Sequence, residues 1–345
     1  MHIKLLASAA ALSALAWPAA AWDYEGHHAI NELALASLPT NFPAFALTTE
    51  SRLRIAYLAG EPDRWRNEMN VRKGTGIALG HANGPDHYLD LEDIYLYGLT
   101  PDKLPPLRYD FVADIVKARE AHPTKFPPID PARDTDHTRE LCGFLPWSIA
   151  EYYEKLQSGF STVAALEKFG GSPDDITNAR QNIIYVMGVM GHFVGDASQP
   201  LHTTIQFNGW VGENPNNYTT DHSFHQWIDG GFFRKTGGID VNKLSAKIHT
   251  AEKLSVVSDP NGIFHTAVNF IVANNHLVEP LYKLQKDGKL SDQGDAGAEG
   301  RAFLEGQLVK SGQLLGNLWY SAWLTAPEDT YLERELQQRS QPAAK

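Results

Sequence analysis

The sequence predicts an all-α protein, an irregular bundle of many helices in a single domain with long loops gathered at one end. Three observations lead to this fold class. Apolar residues recur at intervals of three and four along most of the chain, strict apolar–polar alternation is rare, and segments rich in Gly, Pro and Asn separate the periodic stretches. Loops of that length in a compact domain usually shape a functional site.

Six segments carry the helical period, and we predict one helix in each. They are residues 26–38, 109–121, 141–157, 174–194, 264–285 and 301–324. Asp174 and Asp175 begin the fourth segment, where carboxylates interact favourably with the helix dipole. Residues 72–86 and 206–220 are the clearest predicted loops, because Gly, Pro and Asn are frequent in both.

Residues 1–21 have the features of a secretory signal peptide. Lys4 is the one charged residue in this segment, and the apolar stretch that follows it is too short to span a membrane. The small residues Ala19 and Ala21 fit a cleavage site before Trp22. We therefore expect a secreted or periplasmic protein whose N-terminal residue is Trp22.

The rest of the chain gives three further expectations. Residues 22–330 have no linker-like composition and read as one helical domain, whereas residues 331–345 read as a flexible C-terminal tail. The formal net charge of −11 argues against a broad basic face for duplex DNA. Cys142 is the single cysteine, so the chain forms no intramolecular disulfide, and no obligate protein partner is predicted.

The segment GHFVGDASQPLH, residues 191–202, combines imidazole and carboxylate groups at a helical spacing. His192 and Asp196 are four residues apart, so a helix places them on the same face. Pro200 ends that helix and allows the backbone to turn His202 back toward the pair. Imidazole and carboxylate groups are ligands that zinc prefers. The segment therefore predicts a metal site.

Further candidate ligands lie outside this segment. His225 and Asp229 repeat the four-residue spacing, which suggests a centre with more than one ion. Three upstream motifs complete the pattern with further His and Asp residues. They are WDYEGHH, with Trp22 and His27; PDRWR, with Asp63 followed by Arg66; and PDHYLD, with His87 and Asp90.

In this order, the motifs resemble those of the zinc-dependent single-strand nucleases of fungi, plants and bacteria. The related bacterial zinc-dependent phospholipases C share much of the pattern. The resemblance covers residues 22–229 and is most specific in HxxxDxxxPxH, residues 192–202. It implies an all-helical enzyme whose long loops surround a cleft that holds three zinc ions.

The resemblance also implies which groups bind each ion. One of them is the α-amine of Trp22, whose pKa of about 7.7–8.0 allows it to lose its proton to a metal near neutral pH. Signal cleavage would therefore create a ligand. The implied sets are Asp63, His87, His192 and Asp196 for the first zinc, His202, His225 and Asp229 for the second, and Trp22, His27 and the shared Asp196 for the third.

The implied chemistry is metal-assisted hydrolysis of a phosphodiester. Zinc lowers the pKa of water from about 15.7 toward 7, so a zinc-bound hydroxide would attack phosphorus. Three Zn²⁺ ions and three aspartates would give the pocket a charge of about +3, which attracts a phosphodiester. Asp63 would orient the nucleophile, and Arg66 would bind a phosphoryl oxygen through its planar guanidinium.

The expected substrates are single-stranded DNA or RNA and 3′-nucleotides, and two alternatives stay open. By resemblance, the last ligand pair ends in Asp in the nucleases and in Glu in the phospholipases, so Asp229 favours a nuclease, as does Arg66 three residues after Asp63. The GGN segment of the nucleases has no secure equivalent, and Asn208 is the nearest substrate-binding candidate. Phospholipase C activity on lipid head groups and a non-catalytic zinc-binding protein are the alternatives.

Overall fold

The computed structural model describes residues 22–71, 77–126 and 128–339, which form an all-α fold without a β-strand among them. The predicted fold class is confirmed. The signal peptide proposed for residues 1–21 lies outside the described residues. Within the described ranges, no helix is both long enough and apolar enough to cross a membrane.

Long helices alternate with short helices and turns along the chain. The α-helices are α1 Tyr24–Ser37, α2 Thr49–Leu58, α3 Glu61–Val71, α4 Ile77–Asn83, α5 Leu91–Ile94, α6 Arg108–Ala121, α7 Leu145–Phe169, α8 Pro173–Ser198, α9 Phe224–Gln226, α10 Phe232–Lys235, α11 Val241–Ser245, α12 Gly262–Asn275, α13 Val278–Lys286, α14 Ala298–Leu324 and α15 Thr330–Arg339. A π-helical turn, Trp227–Gly231, joins α9 to α10. Short 3-10 turns cover Ala44–Ala46, Gly84–His87, Tyr95–Tyr97, Pro101–Lys103, Pro123–Lys125, Pro131–Arg133, Pro200–Thr203, Ser255–Ser258 and Gly294–Gly297.

Helix α8 is the central element of the fold. Helices α1, α2, α7, α12 and α14 pack around it, and every residue from Met187 to Ser198 is buried. Glycine allows the closest of these approaches, since a Cβ at Gly191 would lie 1.6 Å from the side-chain oxygen of Asn31. The Asn31 amide donates to the carbonyl oxygens of Ile55 (2.8 Å) and Gly188 (3.0 Å), which ties α1 and α2 to α8.

The six predicted segments are helical, and several of their bounds differ from the prediction. Helix α8 continues to Ser198, and α7 continues to Phe169, where Gly170 ends it in a left-handed conformation with φ of 84°. The predicted helix 264–285 is two helices, α12 and α13, separated by a turn at His276 and Leu277. Sequence periodicity did not predict α2 and α3.

The segment before α7 is not helical, although the periodicity predicts a helix that begins four residues earlier. Gly143 has a left-handed φ of 102°, and a Cβ there would lie 2.0 Å from the carbonyl oxygen of Tyr88. The amide of Asp90 donates to the carbonyl oxygen of Cys142 at 2.8 Å. This pairing holds the turn that carries His87 against the start of α7.

Two expectations about irregular segments are wrong in part. The tail predicted over 331–345 is helical through Arg339, because buried Leu336 packs α15 against the core, and residues 340–345 lie outside the described part. Within the predicted loop 72–86, residues 77–83 form α4, which packs against α3, whereas 72–76 are outside the described ranges. Residues 206–220 are irregular, as predicted.

Candidate metal centre

The buried end of α8 brings together most of the side chains that the motifs single out. Three groups of His and Asp side chains lie there, and each could hold a metal ion because its ligand atoms lie within 4.8 Å of one another. All of their members are buried. The groups are His27, His192 and Asp196; Asp63, His87 and His192; and His202, His225 and Asp229.

His192 and Asp196 lie side by side on α8, as their spacing predicts. The Nε2 atom of His192 is 3.3 Å from Oδ2 of Asp196. The Nδ1 atom of His192 donates to the carbonyl oxygen of Ala59 at 2.7 Å, so in the neutral ring Nε2 carries the free lone pair. A hydrogen bond of this kind fixes the ring orientation of metal-binding histidines.

Asp196 connects histidines on both sides of its carboxylate. Its Oδ1 lies 3.3 Å from Nε2 of His27, whereas its Oδ2 lies 3.0 Å from Nδ1 of His87. The rings of His27 and His192 stack with their centroids 3.8 Å apart. Helix α1 can bring His27 this close because Gly195 has no side chain, and a Cβ there would lie 2.7 Å from Nδ1 of His27. The carboxylate of Asp196 therefore lies between His27 of the first group and His87 of the second.

Helix α3 supplies the carboxylate of the second group. Oδ1 of Asp63 lies 3.9 Å from Nδ1 of His87 and 3.9 Å from Nε2 of His192. The two histidine nitrogens are 2.9 Å apart. The gap between the carboxylate and the two nitrogens has the size that a shared cation would need, since zinc binds such atoms at about 2.0–2.2 Å.

The third group forms where the 3-10 turn after α8 meets the π-helical turn. Nε2 of His225 lies 3.0 Å from Nε2 of His202 and 3.1 Å from Oδ2 of Asp229. Nδ1 of His202 donates to the carbonyl oxygen of His87 at 2.6 Å, which leaves its Nε2 directed at the group. Gln199 donates to Oδ1 of Asp229 at 2.7 Å and thereby orients that carboxylate.

Burial sets the protonation of most imidazoles in the centre. It lowers the pKa of His27 to about 4 and that of His87 to about 3, and the pKa values of His202 and His225 fall for the same reason. These rings are neutral near pH 7, the form that binds metal. His192 differs, because the charges of Asp196 and Asp63 outweigh its burial and raise its pKa.

The pKa values of the three carboxylates in the centre shift in different directions. Burial would raise the pKa of Asp196, but His192 and His202 lower it well below the ordinary value. Asp63 behaves similarly, since burial is outweighed by Arg66 and the nearby imidazoles. Burial raises the pKa of Asp229 well above the ordinary value, and the hydrogen bond from Gln199 offsets only part of that.

Several buried polar atoms of the centre have no hydrogen-bond partner among the described residues. Such an atom costs about 1–3 kcal/mol, so native proteins keep few of them. Three of them face other members of the groups and can offer a lone pair to a metal ion: Nε2 of His27, Oδ1 of Asp196 and Oδ2 of Asp229. The other ring nitrogens without a partner are Nδ1 of His27, Nε2 of His87 and Nδ1 of His225, whereas Oδ1 of Asp63 has Nη2 of Arg66 at 2.9 Å.

The remaining predicted residues lie beside the centre with different contacts. The Trp22 side chain is buried, and its indole nitrogen donates to the carbonyl oxygen of Gly195 at 3.1 Å; coordination by its amine stays a prediction. Nη2 of Arg66 lies 2.9 Å from Oδ1 of Asp63. The Asn208 side-chain oxygen accepts from the amide of His225 at 3.4 Å.

Sequence reasoning missed two residues at this site. Gln199 is fully buried, and its side-chain amide donates to the candidate ligand Asp229. Its position between His192 and His202 in the motif is the sequence signal that could have identified it. Phe207 is 46% exposed, and its ring centroid lies 5.9 Å from that of His225. For Phe207 the sequence gives only a weak signal, which is an aromatic residue in a loop that precedes the His225 motif.

Replacing Gln199 with leucine is expected to weaken metal binding in the group of Asp229 by about 10–100-fold, the usual effect of removing a hydrogen bond to a metal ligand. Competition with a chelator of known affinity measures the change. Gln293→Leu is the control, because Gln293 is exposed and bonds to Asp292. Equal metal affinity in the two variants would show that Gln199 does not support the site.

No protein-family model and no curated protein matches this chain. The interpretation of the site therefore depends on the identity, burial and convergence of its residues.

Proposed function

We propose that this protein is a zinc-dependent hydrolase of phosphodiesters whose preferred substrates are single-stranded nucleic acids and 3′-nucleotides. One observation carries the proposal. Three buried His/Asp groups lie side by side: His192 and Asp196 link the groups of His27 and Asp63, and Nδ1 of His202 in the remaining group lies 4.0 Å from Oδ1 of Asp196. The guanidinium of Arg66 lies at the edge of this centre. A phosphate needs both features, a concentrated positive charge and a directional hydrogen-bond donor.

The donor set supports zinc as the resident metal. The groups offer imidazole nitrogens together with single carboxylates, a mixture that suits zinc better than the all-oxygen sets of calcium and magnesium. When bound, zinc supplies Lewis acidity and lowers the pKa of a coordinated water to about 7. Secretion after cleavage before Trp22 is part of the proposal, since that cleavage supplies the terminal amine.

The chain's own residues account for substrate positioning. The Arg66 side chain is 19% exposed, so it can reach a phosphoryl oxygen from the solvent side while it contacts Asp63. The charge of Arg66 helps to lower the pKa of Asp63, which keeps that carboxylate ionised and able to accept a hydrogen bond from the attacking water.

Phe207 offers an aromatic face to a substrate. Its half-exposed ring lies beside His225, in the loop that also carries Asn208. A nucleobase can stack on such a ring, which contributes about 1–3 kcal/mol per base. The quaternary ammonium of a choline head group can also bind an aromatic face, so the comparison of substrates below decides between the two. Asn208 provides an adjacent amide for hydrogen bonds to the substrate.

Arg66→Ala is expected to reduce turnover by about 100-fold, the usual effect of removing one donor to a developing negative charge, without loss of zinc. The measurement is kcat on single-stranded DNA together with zinc per protein. Arg64→Ala is the matched control, because Arg64 lies on the same helix but pairs with Glu61 and stacks on Tyr57. Unchanged turnover in Arg66→Ala would remove that residue from the mechanism.

The function is tested on purified protein that begins at Trp22, with single-stranded DNA, RNA, a 3′-mononucleotide and phosphatidylcholine, each with and without chelator. We expect chelator-sensitive cleavage of the first three substrates. Cleavage of phosphatidylcholine alone would replace the nuclease by a phospholipase. Inactivity on all four with zinc fully bound would favour a non-catalytic zinc protein.

A further inference from the structure

Trp22 and Asp23 are attached to the metal centre by contacts that involve no proposed ligand side chain. The indole nitrogen of fully buried Trp22 donates to the carbonyl oxygen of Gly195 at 3.1 Å and to Oγ of Ser198 at 3.2 Å. Its ring also packs against Phe233, with centroids 6.3 Å apart. These contacts hold residue 22 against the end of α8, the segment that carries Asp196.

Asp23 connects this segment to the opposite side of the centre. Its amide donates to the carbonyl oxygen of Asp229 at 3.1 Å, and its own carbonyl oxygen accepts from the amide of His27 at 3.2 Å. Its carboxylate pairs with the guanidinium of Arg234 on α10. Asp23 thus contacts the backbone of one candidate ligand from each of two groups.

Two glycines provide the space for this arrangement. A Cβ at Gly230 would lie 1.6 Å from the carboxylate of Asp23, so a side chain there would block the approach of Asp23 to Arg234. A Cβ at Gly26 would lie 2.9 Å from Cβ of Trp22. Gly26 and Gly230, which are far apart in the chain, therefore leave the space that the side chains of Trp22 and Asp23 occupy.

We propose that the Asp23–Arg234 ion pair is a positioning clamp, which holds the backbone of Trp22 at the group of His27 and Asp196. In a chain that begins at Trp22, the clamp would keep the terminal amine in place as a ligand of the third ion. The inference rests on the proposed zinc centre. It assigns Asp23 and Arg234 a role through Trp22, since neither belongs to the three metal-binding groups.

The solvent exposure of the Asp23–Arg234 pair indicates that the pair positions Trp22 and adds little to the stability of the fold. The Arg234 side chain is 48% exposed and that of Asp23 is 20% exposed. Ion pairs with that exposure contribute little to folding stability. Breaking the pair should therefore leave the fold, the indole contacts of Trp22 and the other two ions in place, while the backbone of residues 22 and 23 loses the contact that orients the terminal amine toward His27 and Asp196.

The test uses protein that begins at Trp22 and carries Asp23→Asn or Arg234→Gln. Zinc per protein and zinc release to a chelator are measured, with melting temperature as a check on folding. We expect two ions to stay bound, while the third binds about 10–100-fold more weakly, the effect of losing support for a metal ligand. Arg234→Lys, which keeps the charge, should recover most of that affinity.

Arg180→Gln is the matched control, because it breaks another exposed ion pair, Arg180–Glu167, whose arginine is 40% exposed. It should retain three ions. Unchanged zinc release in both clamp variants overturns the clamp and leaves the proposed function standing. Loss of all ions or of the folding transition also overturns it, because the pair then supports the fold. Wild-type protein without three ions overturns the proposed centre itself.

Discussion

Asp196→Asn is expected to remove two of the three metal ions and to reduce turnover by about 1,000-fold or more. The two oxygens of Asp196 face different histidines, His27 at 3.3 Å and His87 at 3.0 Å, so one neutral amide weakens two groups at once. Asparagine keeps the shape of the side chain. One of its two terminal atoms, however, is an amide nitrogen, which donates hydrogen bonds and cannot coordinate a metal ion. Elemental analysis and kcat on single-stranded DNA measure both effects.

Asp174→Asn is the control for this prediction. Asp174 lies on the same helix, in its exposed first turn, so the control makes the same chemical change outside the centre. We expect full metal content and activity in that protein. If Asp196→Asn also retained three ions and full turnover, Asp196 would not bridge two metal positions, and the centre would have to be reassigned.

Removal of metal is expected to lower the melting temperature by roughly 10 °C. A single ion present at about 1,000 times its Kd stabilises the folded state by about 4.1 kcal/mol, and each kcal/mol corresponds to about 2–4 °C in domains of about 150–250 residues, so one tightly bound ion already accounts for a shift of this size. The physical reason is the cluster of buried lone-pair atoms without hydrogen bonds among the described residues, which includes atoms of His27, Asp196 and Asp229. Calorimetry before and after chelation measures the shift.

Zinc added back to the chelated protein should restore the original melting temperature, whereas magnesium should not, because the donor set contains imidazole nitrogens. A second control is chelator added to the Asp196→Asn variant, where the shift should be smaller than in the wild type. A melting temperature that does not change after verified removal of metal would mean that the buried atoms are satisfied in another way.

The sequence was sufficient to predict the all-α fold and the pairing of His192 with Asp196. Both depend on local periodicity, since a spacing of four on a helix places side chains on one face. The grouping of Asp63, His87 and His192 came instead from the ordered motifs and their resemblance to a family, because no local rule brings α3, a 3-10 turn and α8 together. The structure places those three residues in one group.

Other features depend on tertiary contacts that periodicity does not encode. Gly195 reads as a helix-weakening residue in the sequence, yet its missing Cβ is what allows α1 to bring His27 beside Asp196. The π-helical turn that holds Asp229 next to His225 has no sequence signature of its own. Residues 331–339 looked too polar to fold, but buried Leu336 attaches them to the core.

We propose that three zinc ions occupy the three His/Asp groups of a protein that begins at Trp22. The most direct test is a crystal structure of that protein with anomalous data at the zinc edge, supported by elemental analysis of the same sample. We expect three anomalous peaks, with Asp196 between two of them. A zinc-supplemented protein with no peak at these groups, or with zinc bound only elsewhere, would contradict it.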